Sequence, residues 1–490
     1  MRKNLIVYLV IVLGCAGGIY AALHAGKRLE TTRATAVSGT PPGYAETITH
    51  SQVRAPTTTM NGATQALRDN LQEPLSLLLI QLILIILLSR VFGSLLVRMG
   101  QPGVIGEMIA GIVLGPSVVG ALFPGVFHFV FPATSFGALR MLSQVGVILF
   151  MFVVGMELDV HHLRTRAHTA LMVSHTSIVF PYFLGVIFSL LIYQGYAPSK
   201  ATFLSFALFM GIAMSITAFP VLARIIEERG LSKSYLGSMA ITCAAVGDVT
   251  AWTVLAFVVA VAKADGATGT VLSMLILVVF VAGMLFIIKP LLRRWLRSGV
   301  QSMDPSRTAV VSILILVFAS GLFTEVIGMH ALFGAFLAGV IMPADTRFRE
   351  TLRERLESFS SSFLLPLFFA FTGLRTQVGL LNDWGGATVC LGLIFVATLG
   401  KLGGSMFAAR WTGMDWHDSF ALGALMNTRG LVELIVLNIG FDLGILSPRV
   451  FAMTVIMALV TTFMTGPLLS LGNMLRRKTA PATAQSAAIY

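Results

Sequence analysis

From Leu75 to about residue 471 the chain is a succession of apolar blocks, most of them about 18 to 25 residues long. That is the length a helix needs to cross the hydrocarbon core of a bilayer. Backbone polar groups have no water to bond to at that depth, so such blocks must satisfy their own N–H and C=O groups, as α-helices do. Of 490 residues, 56% are hydrophobic and only 11% are charged, against about 25% charged in soluble domains. The net charge of +12 would otherwise suggest a nucleic-acid partner. Here the Lys and Arg residues sit in short stretches between apolar blocks, as membrane-topology signals do, and no nucleic acid is expected. The sequence reads as an all-α polytopic membrane protein.

Thirteen candidate spans follow the N-terminal region, at roughly 75–92, 103–122, 139–157, 168–193, 201–226, 234–262, 271–292, 307–326, 330–342, 358–376, 387–410, 418–440 and 448–471. The ninth is short, and the fifth and twelfth are interrupted. If the first span starts outside, twenty Arg and Lys residues lie on the cytoplasmic side. In the loops that follow the first span, only Arg140, Lys200, Lys263, Arg375 and Arg449 lie opposite. This bias follows the positive-inside rule, predicts a cytoplasmic C-terminus, and fits the inner membrane of a cell. Ahead of the spans, a basic start and the apolar run Leu5–Leu13 resemble a secretory signal peptide; residues 1–26 are expected to be a signal peptide or an N-terminal membrane helix. Val12-Leu-Gly-Cys15 faintly resembles a lipoprotein cleavage box, with Leu13 bulkier than such a box expects. Residues 27–72, rich in Thr, Ala, Gly and Pro, read as a flexible extracytoplasmic segment. Residues 73–474 form the transmembrane domain, and 475–490 a short cytoplasmic tail.

Two spans carry features that an ordinary membrane helix avoids. The fifth breaks at Ser215-Ile-Thr-Ala-Phe-Pro220, with Thr217 inside the break. The twelfth carries Met426-Asn-Thr-Arg-Gly-Leu-Val-Glu433, where Asn427 and Gly430 disfavour a helix and Arg429 and Glu433 are charged. These spans stand seven apart in order, so they cross the bilayer in opposite directions, as inverted-topology repeats require. Broken helices expose dipole ends and free carbonyls that bind ions where they line a cavity. Asp248 in the sixth span and Lys401 in the eleventh place two further charges beside the breaks. An ionisable residue at bilayer depth is a functional-site hypothesis by default. Taken singly, each feature has a plainer reading. Pro220 would suit a simple kink, Asp248 a helix–helix contact, and Lys401 a structural cation. Arg429 and Glu433, four apart, would neutralise each other. His330 suits a structural role better than a pH sensor, and Glu107 and Glu157, near span ends, suit a helix contact or an ion funnel.

The cysteines, Cys15, Cys243 and Cys390, have neither metal-ligand spacing nor the pattern of a disulfide framework. With no paired catalytic carboxylates and no His cluster, neither an enzyme nor a cofactor is expected.

Several stretches then resemble the monovalent cation:proton antiporter-2 family. They are Gly100-Gln-Pro-Gly-Val-Ile-Gly-Glu107 through Gly115-Pro-Ser117; Val153-Val-Gly-Met-Glu-Leu-Asp159; Ser215-Ile-Thr-Ala-Phe-Pro-Val-Leu222; Gly247-Asp-Val-Thr-Ala-Trp252; His330-Ala-Leu-Phe-Gly-Ala-Phe-Leu-Ala-Gly339; Pro366-Leu-Phe-Phe-Ala-Phe-Thr-Gly-Leu-Arg375; and Met426 to Gly440. The last is most similar to plant and bacterial cation/proton exchangers associated with potassium. The resemblance implies a homodimer. Its scaffold would comprise spans one to three and eight to ten, and its mobile core spans four to six and eleven to thirteen. It also implies that Asp248 is the ion-binding aspartate, the residue that holds the monovalent metal cation, and Lys401 the core lysine. In the wider fold the residue before the aspartate is usually Asp in electrogenic members and often Asn in electroneutral ones. Here it is Gly247, which favours one cation per proton.

The expected activity is therefore exchange of a monovalent cation, K⁺ or Na⁺, for protons by alternating access. Proton and cation compete for Asp248, with Thr217, Ser215, Asn427 and carbonyls at the breaks around it and Lys401, Arg429 and Glu433 as supporting charges. A sodium-coupled symporter of a small organic solute on a related inverted-repeat fold is the alternative, though such sites want more polar side chains at both breaks. A channel or membrane sensor is a third class, and no filter-type repeat supports it.

Overall fold

A computed structural model describes residues 2–37, 70–157, 167–231, 234–263, 267–299, 307–343 and 347–479. The polar segment 38–69, Leu158 and Asp159, residues 480–490 and the side chain of Glu157 lie outside the described set. All regular structure among the described residues is helical. Among the described residues, eleven helices are long and apolar enough to cross a membrane. Phe203–Ser215 and Ala331–Val340 are shorter apolar helices.

In chain order the principal helices are α1 (Arg2–Val37), α2 (Pro74–Arg98), α3 (Gly103–Leu114), α4 (Phe136–Glu157), α5 (Ala167–Tyr196), α6 (Phe203–Ser215), α7 (Phe219–Glu228) and α8 (Tyr235–Lys263). Then come α9 (Ala267–Gly283), α10 (Arg307–Val326), α11 (Ala331–Val340), α12 (Leu365–Arg375), α13 (Trp384–Thr398), α14 (Gly404–Trp411), α15 (Trp416–Met426), α16 (Leu431–Asp442) and α17 (Pro448–Thr479). The fifth and twelfth spans are each broken in the middle, as α6/α7 and α15/α16. A helical stretch from Arg347 leads into α12.

Helix contacts divide the molecule into two units. Helices α2, α3, α4, α10, α11 and α12 pack on one another. Helices α5 to α8 pack with α13 to α17. Between these units α9 contacts α8, and it exposes Val271, Leu275, Val278 and Val279, a surface suited to lipid. The first unit, the scaffold, is joined where backbones touch. Gly155 on α4 faces Gly339 on α11, and a Cβ built on Gly155 would stand 3.0 Å from the Gly339 Cα. At the α3–α12 crossing a Cβ on Gly373 would stand 2.6 Å from the Ile112 nitrogen. Glycine also closes the turn between α2 and α3. Gly100 adopts φ +72°, and the Gln101 N–H then bonds the Leu96 carbonyl at 2.9 Å, a helix ending that favours a residue without a Cβ.

Two boundaries differ from the sequence expectation. Helix α1 continues past residue 26 to Val37, because Lys27-Arg-Leu-Glu30 are good helix formers and Glu30 is bonded to α6. Helix α17 runs to Thr479, past the expected start of the tail.

The glycine joints predict a stability effect. Gly339→Val puts branched carbon where the backbone of Phe152 to Met156 lies. We expect a loss of about 1–3 kcal/mol or more, read as a lower thermal-unfolding midpoint in detergent. An unchanged midpoint would contradict the close approach.

Candidate ion-binding site

The two breaks meet. Ser215 ends α6, and Ile216 turns extended at φ −75°, ψ 142°. Ala218 then donates its N–H to the Thr428 carbonyl at 3.1 Å. The Thr217 hydroxyl donates to the Met426 carbonyl at 3.0 Å. Gly430 is needed for this approach, since a Cβ there would lie 2.7 Å from Val221 Cγ2. The crossing therefore joins the C-terminal ends of α6 and α15 with the N-terminal ends of α7 and α16.

Arg429 sits at the centre of it, with no exposed surface. Its Nη1 donates to the Ala213 carbonyl and its Nη2 to the Met214 carbonyl, both at 2.7 Å. A cation thus lies against the partial negative charge at the C-terminus of α6. The same Nη1 is 3.1 Å from Glu433 Oε1. The i, i+4 pair is present, and the arginine also serves the opposite broken helix. Its backbone is satisfied by α17. Thr462 Oγ1 accepts from the Arg429 N–H at 3.1 Å and donates to the Arg429 carbonyl at 2.8 Å. Thr428 and Thr465 share a hydroxyl bond at 3.3 Å, and Asn427 Nδ2 donates to the Thr461 carbonyl at 3.4 Å.

Lys401 lies in a π-helical turn, Leu399–Gly403, between α13 and α14. Such wide turns recur at functional positions. Its ammonium is buried, 1% exposed. It donates to Thr217 Oγ1 at 2.6 Å and to Ser177 Oγ of α5 at 3.3 Å. Glycines let α5 come close: a Cβ on Gly400 would stand 2.8 Å from Pro181, and one on Gly404 3.0 Å from Phe180.

Asp248 projects from α8, which packs against α5, α6 and α15. It is 2% exposed, and its Oδ1 has no hydrogen-bond partner. Lys401 is within electrostatic range of it without forming an ion pair. Position 247 has room: a Cβ there would meet nothing closer than Ser174 Oγ at 3.5 Å. The glycine before Asp248 is therefore not imposed by packing.

Among the residues singled out from the sequence, Thr217, Lys401, Arg429, Glu433 and Asn427 fall at the crossing, and Asp248 on a helix packed against both broken spans. Asn427 Oδ1 is buried without a partner. Ser215 turns away, its hydroxyl donating to the Ile212 carbonyl at 3.0 Å. Sequence reasoning missed Ser177 and the threonines Thr461, Thr462 and Thr465. The signal was a cluster of hydroxyls in an otherwise apolar span. His330 lines a separate small cleft at the seam between the units, with Arg140, Arg375, Asn438 and Asp442. There Arg375 bonds Asn438 Oδ1 at 2.8 Å and pairs with Asp442. Arg140 reaches the same aspartate at 3.1 Å. No group of three or more potential metal-ligating His, Cys, Asp or Glu residues occurs among the described residues.

Residues 82–471 match the family described as sodium/hydrogen exchanger, transmembrane, and the chain belongs to that family. Over 395 residues it is 44% identical to the Na(+)/H(+) antiporter NhaS4 of Synechocystis, covering 80% of this chain and 96% of that protein. It is 34% identical over 414 residues to K(+)/H(+) antiporter 1 of Saccharomyces cerevisiae, covering 82% of this chain and 47% of that protein. With the Na(+)/H(+)-K(+) antiporter GerN of Bacillus cereus it shares 31% identity over 396 residues, 79% of this chain and 94% of the relative. The chain thus spans nearly all of the bacterial relatives and about half of the yeast one. Its fold is similar to that of the sodium proton antiporter MjNhaP1 of Methanocaldococcus jannaschii, with a TM-score of 0.58 at 16% identity, covering 82% of this chain and 98% of that one.

Removing the central cation tests the crossing. Arg429→Met leaves Glu433 buried without its partner and frees two carbonyls. A loss of about 3–5 kcal/mol is expected, read as failure to purify as a monodisperse protein or as a sharply lower unfolding midpoint. Full stability in this variant would show that the guanidinium does not hold the breaks together.

Proposed function

We propose that the protein is a secondary transporter that exchanges a monovalent cation for protons across the membrane, with Asp248 as the group for which the two compete. The observation that carries this reading is a carboxylate of 2% exposure on a membrane-length helix, beside crossed broken helices, with an oxygen that no protein donor satisfies. A bare carboxylate at that depth is unfavourable. A proton or a cation removes the charge, and both cannot do so at once. The unit of α5–α8 and α13–α17 then moves past the scaffold only when Asp248 is neutralised, and obligatory exchange follows.

In this reading Thr217, Asn427 and break carbonyls complete the cation shell, and Ser215 shapes the end of α6. Lys401 is a charge already held by hydroxyls, donating to Thr217 and Ser177 rather than to a second carboxylate. With Gly247 adjacent, one site titrates per cycle, which supports one cation per proton. Names of relatives include both sodium and potassium, so K⁺ and Na⁺ are the cations to test. The names of relatives and the few polar side chains at the breaks favour exchange over sodium-coupled uptake of an organic solute.

Finer points belong to the same reading. The α2-to-α17 region makes thirteen spans, counting each broken pair as one, α13 and α14 as one through their π-helical turn, and the short α11 as one. The loop charges support a cytoplasmic C-terminus in an inner membrane. The protein works as a homodimer whose scaffolds face each other. The exposed row Leu75, Leu79, Ile83 and Leu87 on α2 supplies apolar surface for that contact.

The test is dequenching of a pH-sensitive dye in proteoliposomes carrying an imposed pH gradient, with Na⁺, K⁺, Li⁺ and Rb⁺ added in turn. Wild-type protein should dissipate the gradient on addition of its cation. Asp248→Asn should remove at least 90% of that response, on the order of 1.4 kcal/mol or more, while folding normally. Normal exchange by the asparagine variant would exclude Asp248 as the shared site.

A further inference from the structure

Helix α1 lies outside the matched residues 82–471 and carries none of the site residues named above. Its apolar stretch Tyr8–Glu30, 23 residues, is long enough to cross a membrane. It lies along α5 and also touches α6. Near the start of α5, Tyr8 Oη and His175 Nδ1 are 2.7 Å apart, with the two rings stacked. Further along, Gly18 lies against the ring of Phe183. At the far end Gly26 lies against the ring of Phe203, and the Glu30 carboxylate accepts the Phe203 backbone N–H. Positions 8, 18 and 30 thus advance with 175, 183 and 203. Helices α1 and α5 run parallel, and the Gly26–Glu30 part of α1 lies beside the start of α6.

The two faces of α1 differ in character. Cys15, Ala22 and Gly26 are buried, and with Gly18 they form a small-residue face at helical spacing. A Cβ at Gly18 or Gly26 would overlap an aromatic ring. Close approach of small residues is how helices associate in lipid. Val10, Leu13 and Tyr20 point outward, 64%, 67% and 73% exposed, as lipid-facing residues do. A leader peptide needs a basic start and an apolar run. It needs neither a tyrosine–histidine bond at one end nor a carboxylate on a helix start at the other. The first N–H groups of a helix have no partner within it, and a carboxylate there meets the positive end of the dipole.

We propose that α1 is retained in the mature protein as an additional transmembrane helix docked on the face of α5 and α6, and that Glu30 fixes the start of α6. Helix α6 ends at Ser215 in the crossing, so α1 steadies the far end of the helix that carries the first break. The docking stands on contacts alone. That α1 travels with a moving ion-carrying unit rests on the exchanger reading.

Three measurements on the full-length protein, purified from membranes through a C-terminal tag, test the proposal. N-terminal sequencing and intact mass should find residues 2–37 present; a mature N-terminus beyond Gly26 overturns it. For docking, Gly18→Cys and Phe183→Cys are combined with Cys15→Ala and a protease site inserted between residues 38 and 69. After treatment with a short thiol crosslinker and cleavage, the N-terminal fragment should stay attached. Leu13→Cys on the outward face should not crosslink to Phe183→Cys. Equal crosslinking from both faces, or none from Gly18→Cys, sinks the docking. Finally, Glu30→Ala should lower the unfolding midpoint by about 2 °C, and Glu30→Gln, which keeps an acceptor, should recover at least half of the shift. A wild-type midpoint in Glu30→Ala rules out the cap. If α1 is retained and crosslinked but no cation drives proton movement in the wild type, the exchanger reading fails while the docking stands.

Discussion

Two helices broken inside a bilayer must satisfy their loose backbone ends without water. The rest of the structure depends on how they do it. The ends of α6 and α15 are carbonyl-rich, and the starts of α7 and α16 are N–H-rich. Crossing them lets one break serve the other: Ala218 N–H meets the Thr428 carbonyl, and Thr217 meets Met426. What the crossing leaves over, Arg429 takes up at Ala213 and Met214, and Thr462 closes the backbone of Arg429 itself. The surrounding helices are placed to bring these groups in. Helix α17 supplies its threonines, and α5 supplies Ser177 and the surface on which the π-helical turn at Lys401 rests.

Much of this was legible in the sequence. Gly, Pro, Asn and Thr stand out in apolar spans, so both breaks were visible. So were Asp248, Lys401, Arg429 and Glu433, because charge is rare at that depth. The partners of those charges were less visible. Sequence spacing reports i, i+4 neighbours, which exposed the Arg429–Glu433 pair. It carries no sign that the same guanidinium reaches Ala213 and Met214, over two hundred residues away, since any residue supplies a carbonyl. The threonines of α17 were hidden for a related reason: a hydroxyl in a membrane helix usually bonds its own preceding turn, as Thr465 also does to Thr461. The helicity of residues 27–37 is less visible, because these polar residues read as linker until Glu30 is seen on α6.

The relation of Lys401 to Asp248 is sharper in three dimensions. Both are buried in one unit, yet the ammonium is bonded to hydroxyls and not to the carboxylate. Hydroxyls orient an ammonium without discharging it. The lysine is thus oriented by α5 and by the first break, beside Arg429 at the same crossing. Gly247 leaves the position before Asp248 without a side chain, where a Cβ would have Ser174 Oγ of α5 as its nearest neighbour at 3.5 Å.

The two kinds of contact in the scaffold and at its edge have unequal mechanical character. Where Gly155 faces Gly339 and Gly373 faces the backbone of α3, no rotatable group lies between the chains, so those joints have one setting and resist shear. At the seam, Arg140 and Arg375 meet Asp442 and Asn438 through long side chains, each with several torsions that can turn while a bond persists. Compliance is thus concentrated in one surface of the molecule. A displacement of one unit against the other would meet these rotatable side chains before it met the glycine joints.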